Sequence, residues 1–280
     1  MNRHFGWLQG FLPVMIAAGV VTACQTVQTT QGGAVGIERR QMMMVSSKEM
    51  EQASSQSYHQ IIQQAGQKNA LNRDKDQVER VRAVARRLIP ATGAFRPDAP
   101  AWQWEVNVLT SNDLNAWCMA GGKIVFYSGI IEKLSLTDNE IAAIMGHEIA
   151  HALREHARER ASQSMVTNVG VAVVGAVLGV GRAGTDLLGT VAKVSFELPN
   201  SRKHETEADR IGVELAARGG YDPRAAISLW QKMAKASSGA PPQWLSTHPS
   251  NETRQQDLQQ YAARVMPLYE QATQRARPVK

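Results

Sequence analysis

The stretch GHEIAHALREH, residues 146–156, contains the spacing His147-Glu148-x-x-His151. In an α-helix, side chains four residues apart project from the same face about one turn apart, so both imidazoles can reach a single metal ion. Glu148 points to a neighbouring face, where it can act as the general base on a water held by zinc. The alternative interpretation is an ordinary solvated helix, because the residues after His151 are highly charged.

A second acidic pattern follows in the stretch PNSRKHETEADRIG, residues 199–212. Glu205 and Asp209 are four residues apart and therefore share one helical face. Zinc endopeptidases that take a glutamate from a second helix use this E-x-x-x-D spacing, in which the glutamate binds the metal and the aspartate orients a ligating imidazole. Glu207 is a competing ligand, but it lies roughly 160° around the helix from Glu205. His204 is expected at the surface or beside a ligand, and an unrelated acidic helix is the alternative.

These motifs occur together with others in a fixed order. The stretch NAWCMAGGKIVFYSG, residues 115–129, precedes the histidine helix, and THPS, residues 247–250, with Arg254 follows the acidic helix. Over most of residues 70–265 the chain therefore resembles the gluzincin zinc metallopeptidase family of the HtpX and CAAX-prenyl-protease type, in its bacterial LoiP/BepA-like lipoprotein branch. The resemblance implies a zinc-dependent endopeptidase with one Zn²⁺ per chain. Its implied residues are the metal ligands His147, His151 and Glu205, the base Glu148 and the supporting Asp209.

Short strands before the histidine helix predict an α+β, zincin-like fold that is mostly helical, with a small β-sheet beside that helix. In the resembling families, the edge strand next to the site pairs with the extended backbone of the substrate. Here that strand would consist of Lys123, Ile124, Val125, Phe126 and Tyr127. The alternative is a plain interior strand.

Two residues after the acidic helix are further site predictions. In the resembling lipoprotein proteases, a histidine at the position of His248 can approach the zinc, where it gates access or stabilises the oxyanion. Arg254 is a comparable candidate for the oxyanion or for support of a ligand. A simple turn residue is the alternative for His248.

Capping signals predict where the helices begin and end. Thr137 and Glu140 form a capping box, so the histidine helix is expected to run from there to about Arg160. Asn200 or Ser201 is expected to cap the acidic helix, and Ser250 the last one.

Residues 165–181 form an apolar, glycine-rich run that is short for a membrane span, which needs about 20 residues. This run is interpreted as a core helix or a lid over the cleft, with contact to a membrane or substrate as the alternative.

The N-terminus predicts export. Residues 1–23 read as a signal peptide, and Cys24 follows a Val-Thr-Ala sequence that resembles the lipobox of bacterial lipoproteins. Gln25 after the cysteine indicates the periplasmic face of the outer membrane; a plain signal peptide with a coincidental cysteine is the alternative. Residues 24–66 are predicted to be a lipidated tether, polar over 25–36, and a leading helix, and residues 67–280 the zinc metallopeptidase domain. Acylation of Cys24 would leave Cys118 without an intrachain partner, as a buried inert thiol.

Charge and composition limit the partners. The net charge of +6 allows weak attraction to anionic lipid, but a solvated helix face is the favoured interpretation. The lack of aromatic–basic interleaving and of zinc-finger spacing disfavours nucleic acid. The expected partners are unfolded or misfolded envelope proteins as substrates, the membrane through the lipid on Cys24, and the β-barrel assembly machinery. Three alternatives stay open: a chaperone-like outer-membrane assembly factor with secondary proteolysis, a zinc amidase acting on cell wall or lipid, and a structural lipoprotein with a vestigial site.

Overall fold

The computed structural model describes residues 25–178, 187–236, 243–249 and 253–275. The predicted signal peptide, Cys24 and Ser250 lie outside these residues. The strands are β1 (Gln25–Val27), β2 (Gln41–Met43), β3 (Glu105–Leu109), β4 (Ala116–Met119) and β5 (Lys123–Tyr127). The helices are α1 (Ser47–Gln67), α2 (Lys75–Leu88), α3 (Ser128–Lys133), α4 (Asp138–Leu153), α5 (His156–Leu178), α6 (Leu187–Ala192), α7 (Arg202–Arg218), α8 (Ala225–Ala236), α9 (Gln243–Thr247) and α10 (Arg254–Arg275). The predicted α+β fold, mostly helical with a small sheet, is confirmed.

The main sheet has the strand order β3-β5-β4, with β5 parallel to β3 and antiparallel to β4. The prediction that Lys123–Tyr127 is an edge strand is therefore wrong, because both edges of β5 are already paired. The reason lies in its burial: Ile124, Val125 and Phe126 are all fully buried, so the strand is covered on both faces. The edge strand next to the histidine helix is β4.

The sheet lies between two helical layers. Side chains such as Val108, Ile124 and Phe126 join the main core with α2 and α4. The opposite face carries Trp117 and faces α1, where the ring of Tyr58 packs edge-on at 6.2 Å from the Trp117 ring. The histidine helix α4 is thus enclosed on several sides and held in a fixed position behind the sheet.

Helices α4 and α7 cross at two glycines. A Cβ atom built on Gly146 would lie 2.6 Å from the backbone oxygen of Gly212, and one built on Gly212 would lie 2.7 Å from the backbone nitrogen of His147. Only residues without a side chain allow this approach. The crossing therefore brings the two helices that carry the predicted ligands into backbone contact.

The ends of these helices only partly match their predictions. The capping box of Thr137 and Glu140 starts α4 as predicted, and Ser201 caps α7. However, α4 ends at Leu153 rather than near Arg160. Glu155 has a left-handed backbone with φ of 49°, and α5 starts directly after it. The chain therefore turns sharply just past the second histidine.

Residues 25–46, here called the N-terminal segment, are not a solvated tether, contrary to the prediction for residues 25–36. β1 pairs with β2, and Val35 is only 2% exposed within the main core. The backbone N–H of Val35 donates to the carboxylate of Glu214 in α7 at 3.0 Å. The segment packs despite its polar composition because several of its polar side chains, such as Thr30 and Gln41, are buried against polar partners.

The apolar run at residues 165–181 belongs to α5 as far as Leu178, and the remainder lies outside the described residues. In the part of the chain that the structure describes, no helix is both long and apolar enough to cross a membrane. The expectation of a lid or core helix stays a prediction.

Candidate metal centre

The crossing of α4 and α7 brings His147, His151 and Glu205 together in the protein interior. The Nε2 atoms of the two histidines lie 3.0 Å apart. One carboxylate oxygen of Glu205 lies 3.5 Å from His147 Nε2, and the other lies 3.4 Å from His151 Nε2. All three side chains are at least 91% buried, since their exposed fractions are 4%, 8% and 1%.

This donor set fits a zinc ion. Ligand atoms bound tetrahedrally at about 2.0–2.2 Å from zinc lie about 3.3–3.6 Å from one another. The two separations from Glu205 fall in this range, and the 3.0 Å between the imidazoles is slightly shorter. Both oxygens of Glu205 are buried, and neither accepts a hydrogen bond from any described residue. A buried carboxylate without hydrogen-bond donors is unfavourable unless cations compensate its charge. Glu205 shares Arg254 with Asp209, so one guanidinium faces two buried carboxylates and a further cation would be favourable. Two imidazoles and a carboxylate are also the ligand types that zinc prefers.

Asp209 and Arg254 contact the ligands and orient them. Asp209 Oδ1 lies 2.9 Å from His147 Nδ1 and accepts a hydrogen bond of 2.7 Å from Arg254 Nη2. Arg254 Nη1 lies 3.1 Å from Glu205, and its guanidinium covers the ring of Trp230 at 3.6 Å. Burial opposes the charge of Asp209, but the Arg254 charge and the His147 hydrogen bond still lower its pKa. Arg254 thus contacts Asp209 and Glu205. This position corresponds to support of a ligand rather than to the oxyanion role.

Glu148 lies on the cleft side of the cluster and is 3% exposed. Burial raises the pKa of Glu148 to about 7, although the neighbouring His147 and a hydrogen bond from Trp244 both act to lower it. Trp244 Nε1 donates that bond to Glu148 Oε1 at 2.8 Å. Sequence reasoning missed Trp244, because no local pattern connects it to a residue almost one hundred positions earlier. A carboxyl group with a pKa near neutrality can both accept and return a proton.

His248 also reaches the cluster. Its ligand nitrogen lies within 4.8 Å of the ligand atoms of His147, His151 and Glu205, so the four form one potential metal-binding group. His248 Nδ1 lies 3.0 Å from the carbonyl oxygen of Trp244, and Nε2 lies 3.5 Å from Glu148. If Nδ1 carries the proton donated to that carbonyl, the lone pair on Nε2 is free to bind a metal.

A cleft with a cavity volume of about 370 Å³ opens beside the cluster. Its walls include β4, the first turn of α1 and the site residues Glu148, His151 and His248. Cys118 of β4 also lines the cleft as a half-buried free thiol, and burial raises its pKa well above the ordinary value. This direction favours the protonated thiol, although Cys118 is only partly buried and not fully enclosed as predicted.

Glu207 and His204 face away from the metal cluster. Glu207 accepts hydrogen bonds from Arg39 and Arg154, and His204 Nε2 lies 3.2 Å from Glu159. The structure thus places Glu205 and Glu207 on opposite sides of α7, as helical geometry predicts.

The model of Peptidase family M48 matches residues 75–262, which is more than half of the chain. The chain belongs to this family. The predicted resemblance to this peptidase family is thereby confirmed. The matched residues of this M48 chain include every residue of the cluster, of its supporting pair and of the cleft wall formed by β4.

Three relatives illustrate the similarity. Metalloprotease LoiP of Escherichia coli (strain K12) is 26% identical over 252 residues, covering 90% of this chain and 95% of the relative. The mitochondrial metalloendopeptidase OMA1 of Arabidopsis thaliana is 38% identical over 157 residues, covering 56% of this chain. The β-barrel assembly-enhancing protease of Escherichia coli O157:H7 is 30% identical over 181 residues, covering 60% of this chain. The chain spans only 31% of the Arabidopsis relative and 36% of the assembly-enhancing protease.

Proposed function

We propose that this protein is a zinc-dependent metalloendopeptidase of the bacterial cell envelope that degrades misfolded or misassembled outer-membrane and periplasmic proteins. The observation that carries the proposal is the convergence of His147, His151 and Glu205 on one point, with Glu148 beside them on the wall of a cleft. A base next to a metal site that opens onto a groove is the arrangement of a metallohydrolase.

In this proposal, His147, His151 and Glu205 would hold one zinc ion, which would supply Lewis acidity and activate a water near neutral pH. Glu148 accepts the proton of the attacking water and later passes it to the leaving amine of the cleaved peptide bond. The N–H of Trp244 donates a hydrogen bond to one oxygen of Glu148, which leaves the other oxygen free to accept and return the proton. Asp209 and Arg254 keep the ligands oriented during this exchange.

The edge of β4 is the proposed binding surface for the substrate backbone. One edge of β4 is paired with β5, and no other strand among the described residues pairs with its second edge. Because β4 lines the same cleft as Glu148, an extended peptide added to this edge would pass the metal cluster. Main-chain hydrogen bonds give affinity with little dependence on sequence, which suits a protease for unfolded chains.

The envelope location and the partners are also proposals. The signal-like residues 1–23 and the lipobox-like sequence before Cys24 favour attachment to the periplasmic face of the outer membrane. One similar protein is named for β-barrel assembly, which favours unassembled outer-membrane proteins as substrates and the barrel assembly machinery as a partner. The similarity to that protein covers about a third of its length. The proposed location and partners therefore rest mainly on the N-terminal sequence of this chain.

His248 is proposed to limit access to the metal. If His248 joined His147, His151 and Glu205 as a fourth donor, no ligand position would remain for water. Movement of His248 away from the cluster would open that position for catalysis.

A paired substitution tests the proposed function. Glu148→Gln should abolish cleavage of an unfolded protein such as casein while the purified variant keeps its zinc, because the amide cannot accept a proton. Glu79→Gln, an exposed glutamate on α2, is the matched control and should cleave normally. A Glu148→Gln variant that still cleaves casein would refute the role of the base.

Substrate comparison separates the alternatives. Chelator-sensitive cleavage of unfolded protein supports the peptidase, whereas cleavage of peptidoglycan fragments or a lipid amide alone would favour an amidase. Suppression of aggregation by the Glu148→Gln variant, at wild-type efficiency, would favour a chaperone-like assembly factor. Trapping substrates in vivo with the same variant would identify the physiological targets.

A further inference from the structure

A second buried polar cluster lies behind the metal site, between α4, α5, α7 and the N-terminal segment. Its members are connected by hydrogen bonds and ion pairs, and all except Arg39 are at least 91% buried. They are Arg39, Gln41, Arg154, His156, Glu159, His204 and Glu207. The mechanism proposed above uses none of them.

This cluster touches the metal ligand His151. His151 presents Nε2 to the other ligands, and its second ring nitrogen, Nδ1, lies 2.8 Å from Nδ1 of His156. His156 Nε2 in turn lies 3.1 Å from a carboxylate oxygen of Glu207. His151, His156 and Glu207 therefore form a continuous line of hydrogen-bonding groups that ends in a carboxylate.

Metal binding permits one arrangement of protons along this line. A metal on Nε2 of His151 requires that Nδ1 carry the hydrogen, which His156 Nδ1 must then accept. The hydrogen of His156 consequently lies on Nε2 and is donated to Glu207. Ligating histidines usually donate their other N–H to a carboxylate, carbonyl or water. Here a second histidine is placed between the ligand and the carboxylate.

The sharp turn after α4 makes this contact possible. In a continuous helix, five residues at about 100° each would place His156 roughly 140° around the axis from His151. The left-handed backbone of Glu155 breaks the helix and returns the His156 ring to within 4.9 Å of the His151 ring, centre to centre. A parallel stack with the His204 ring, at 4.3 Å, holds His156 from the other side.

The N-terminal segment completes the cluster. Arg39 donates hydrogen bonds to both Glu207 and Glu159, and Arg154 donates to Glu207 at 2.9 Å and to the backbone oxygen of Arg39 at 2.9 Å. Gln41 donates to the carbonyl oxygen of Arg154 and to Glu159. Two carboxylates are thus balanced by two arginines, and one of these arginines comes from the N-terminal segment. Without Arg39, the buried carboxylates would be left with one cation.

We propose that His156 and Glu207 are positioning residues for the metal ligand His151, and that Arg39 makes this support depend on docking of the N-terminal segment. The inference rests on the proposed function, because it takes His151 to be a metal ligand. Metal held by this chain is then sensitive to the segment that directly follows Cys24. A segment pulled out of place would loosen one of the three protein ligands.

Metal affinity and the visible spectrum of the cobalt-substituted protein test this proposal. His156→Phe keeps the ring stack but removes both hydrogen bonds, so it should weaken zinc binding by about 10- to 100-fold in competitive chelator titrations. The cobalt spectrum should also change, since its bands report ligand geometry. Arg39→Ala should weaken zinc binding to a smaller degree, and Arg39→Lys should restore part of the loss.

Arg80→Ala is the matched control, because Arg80 also joins two elements through a carboxylate and a carbonyl, at the opposite end of α4 from Arg154. It should lower the melting temperature without changing zinc affinity or the cobalt spectrum. If His156→Phe fails to fold, Glu207→Gln provides the same test with a smaller change. Folded variants of His156 and Arg39 with wild-type affinity and spectrum would overturn the proposal. A wild-type protein that binds neither zinc nor cobalt would instead refute the proposed function.

Discussion

The glycine crossing between α4 and α7 gives a quantitative prediction. Gly212→Ala adds a Cβ atom 2.7 Å from the backbone nitrogen of His147 and 2.9 Å from the carbonyl carbon of Gly146. Ordinary contacts begin at 3.4 Å, so the backbones must separate by about 0.5–0.7 Å, the differences 3.4 − 2.9 and 3.4 − 2.7. Neither contact atom belongs to a flexible side chain that could move aside. The two ligand helices must therefore shift.

The expected loss of stability is the difference between two terms. Overpacking of this kind destabilises by about 1–3 kcal/mol. Alanine is favoured over glycine inside a helix by about 1 kcal/mol, so the net loss is about 0–2 kcal/mol, the overpacking cost reduced by this gain. The substitution Gly66→Ala in α1 measures the helix preference alone, because nothing lies within 4 Å of a Cβ atom built there. Gly66→Ala should therefore be neutral or slightly stabilising.

Two measurements check this prediction. Urea unfolding of the chelator-treated proteins gives the free energy of unfolding without the contribution of bound metal. Competitive chelator titration then measures zinc affinity, which should fall for Gly212→Ala because the crossing sets the distance between His147 and Glu205. If Gly212→Ala matches Gly66→Ala in both stability and zinc affinity, the crossing does not position the ligands as argued.

Three further predictions concern the residues around the metal. Asp209→Ala should weaken zinc binding by roughly 10- to 100-fold, because His147 loses the carboxylate that orients it; unchanged affinity in chelator titration would contradict this. His248→Ala should raise kcat/KM for unfolded casein, because it removes a fourth donor from the cluster, and a fall would favour the oxyanion role instead. Glu159→Gln should destabilise the protein most at neutral pH. Burial opposes the charge of Glu159, but hydrogen bonds from Arg39 and His204 lower its pKa below the ordinary 4.5, so its stabilisation is present above that pH and lost below it. The difference in unfolding free energy from wild type should therefore shrink as pH falls below 4.5, and a difference that is constant with pH would count against the ion pair.

The parts of the site that follow from local periodicity were predictable from sequence. His147 and His151, like Glu205 and Asp209, share a face because helical geometry requires it at a spacing of four. The capping box at Thr137 is likewise a local signal, and the structure has it.

The errors arise where long-range partners decide the outcome. Whether β5 is central or at the edge depends on pairing with β3, which the alternation of its own residues does not reveal. The N-terminal segment appeared solvated from its composition, yet its partners Glu159 and Glu207 lie more than one hundred residues away. The break after α4 occurs at Glu155, without a glycine or proline to signal it.

Packing of the N-terminal segment also determines the reach of the molecule. Gln25 is already hydrogen-bonded into a strand, and one residue spans at most about 3.6 Å. An acyl chain on Cys24 would therefore leave almost no slack between the bilayer and the folded body. The metal site of such a protein would stay close to the bilayer and could not reach targets far from it. Polypeptides would have to come to the bilayer surface to be cut.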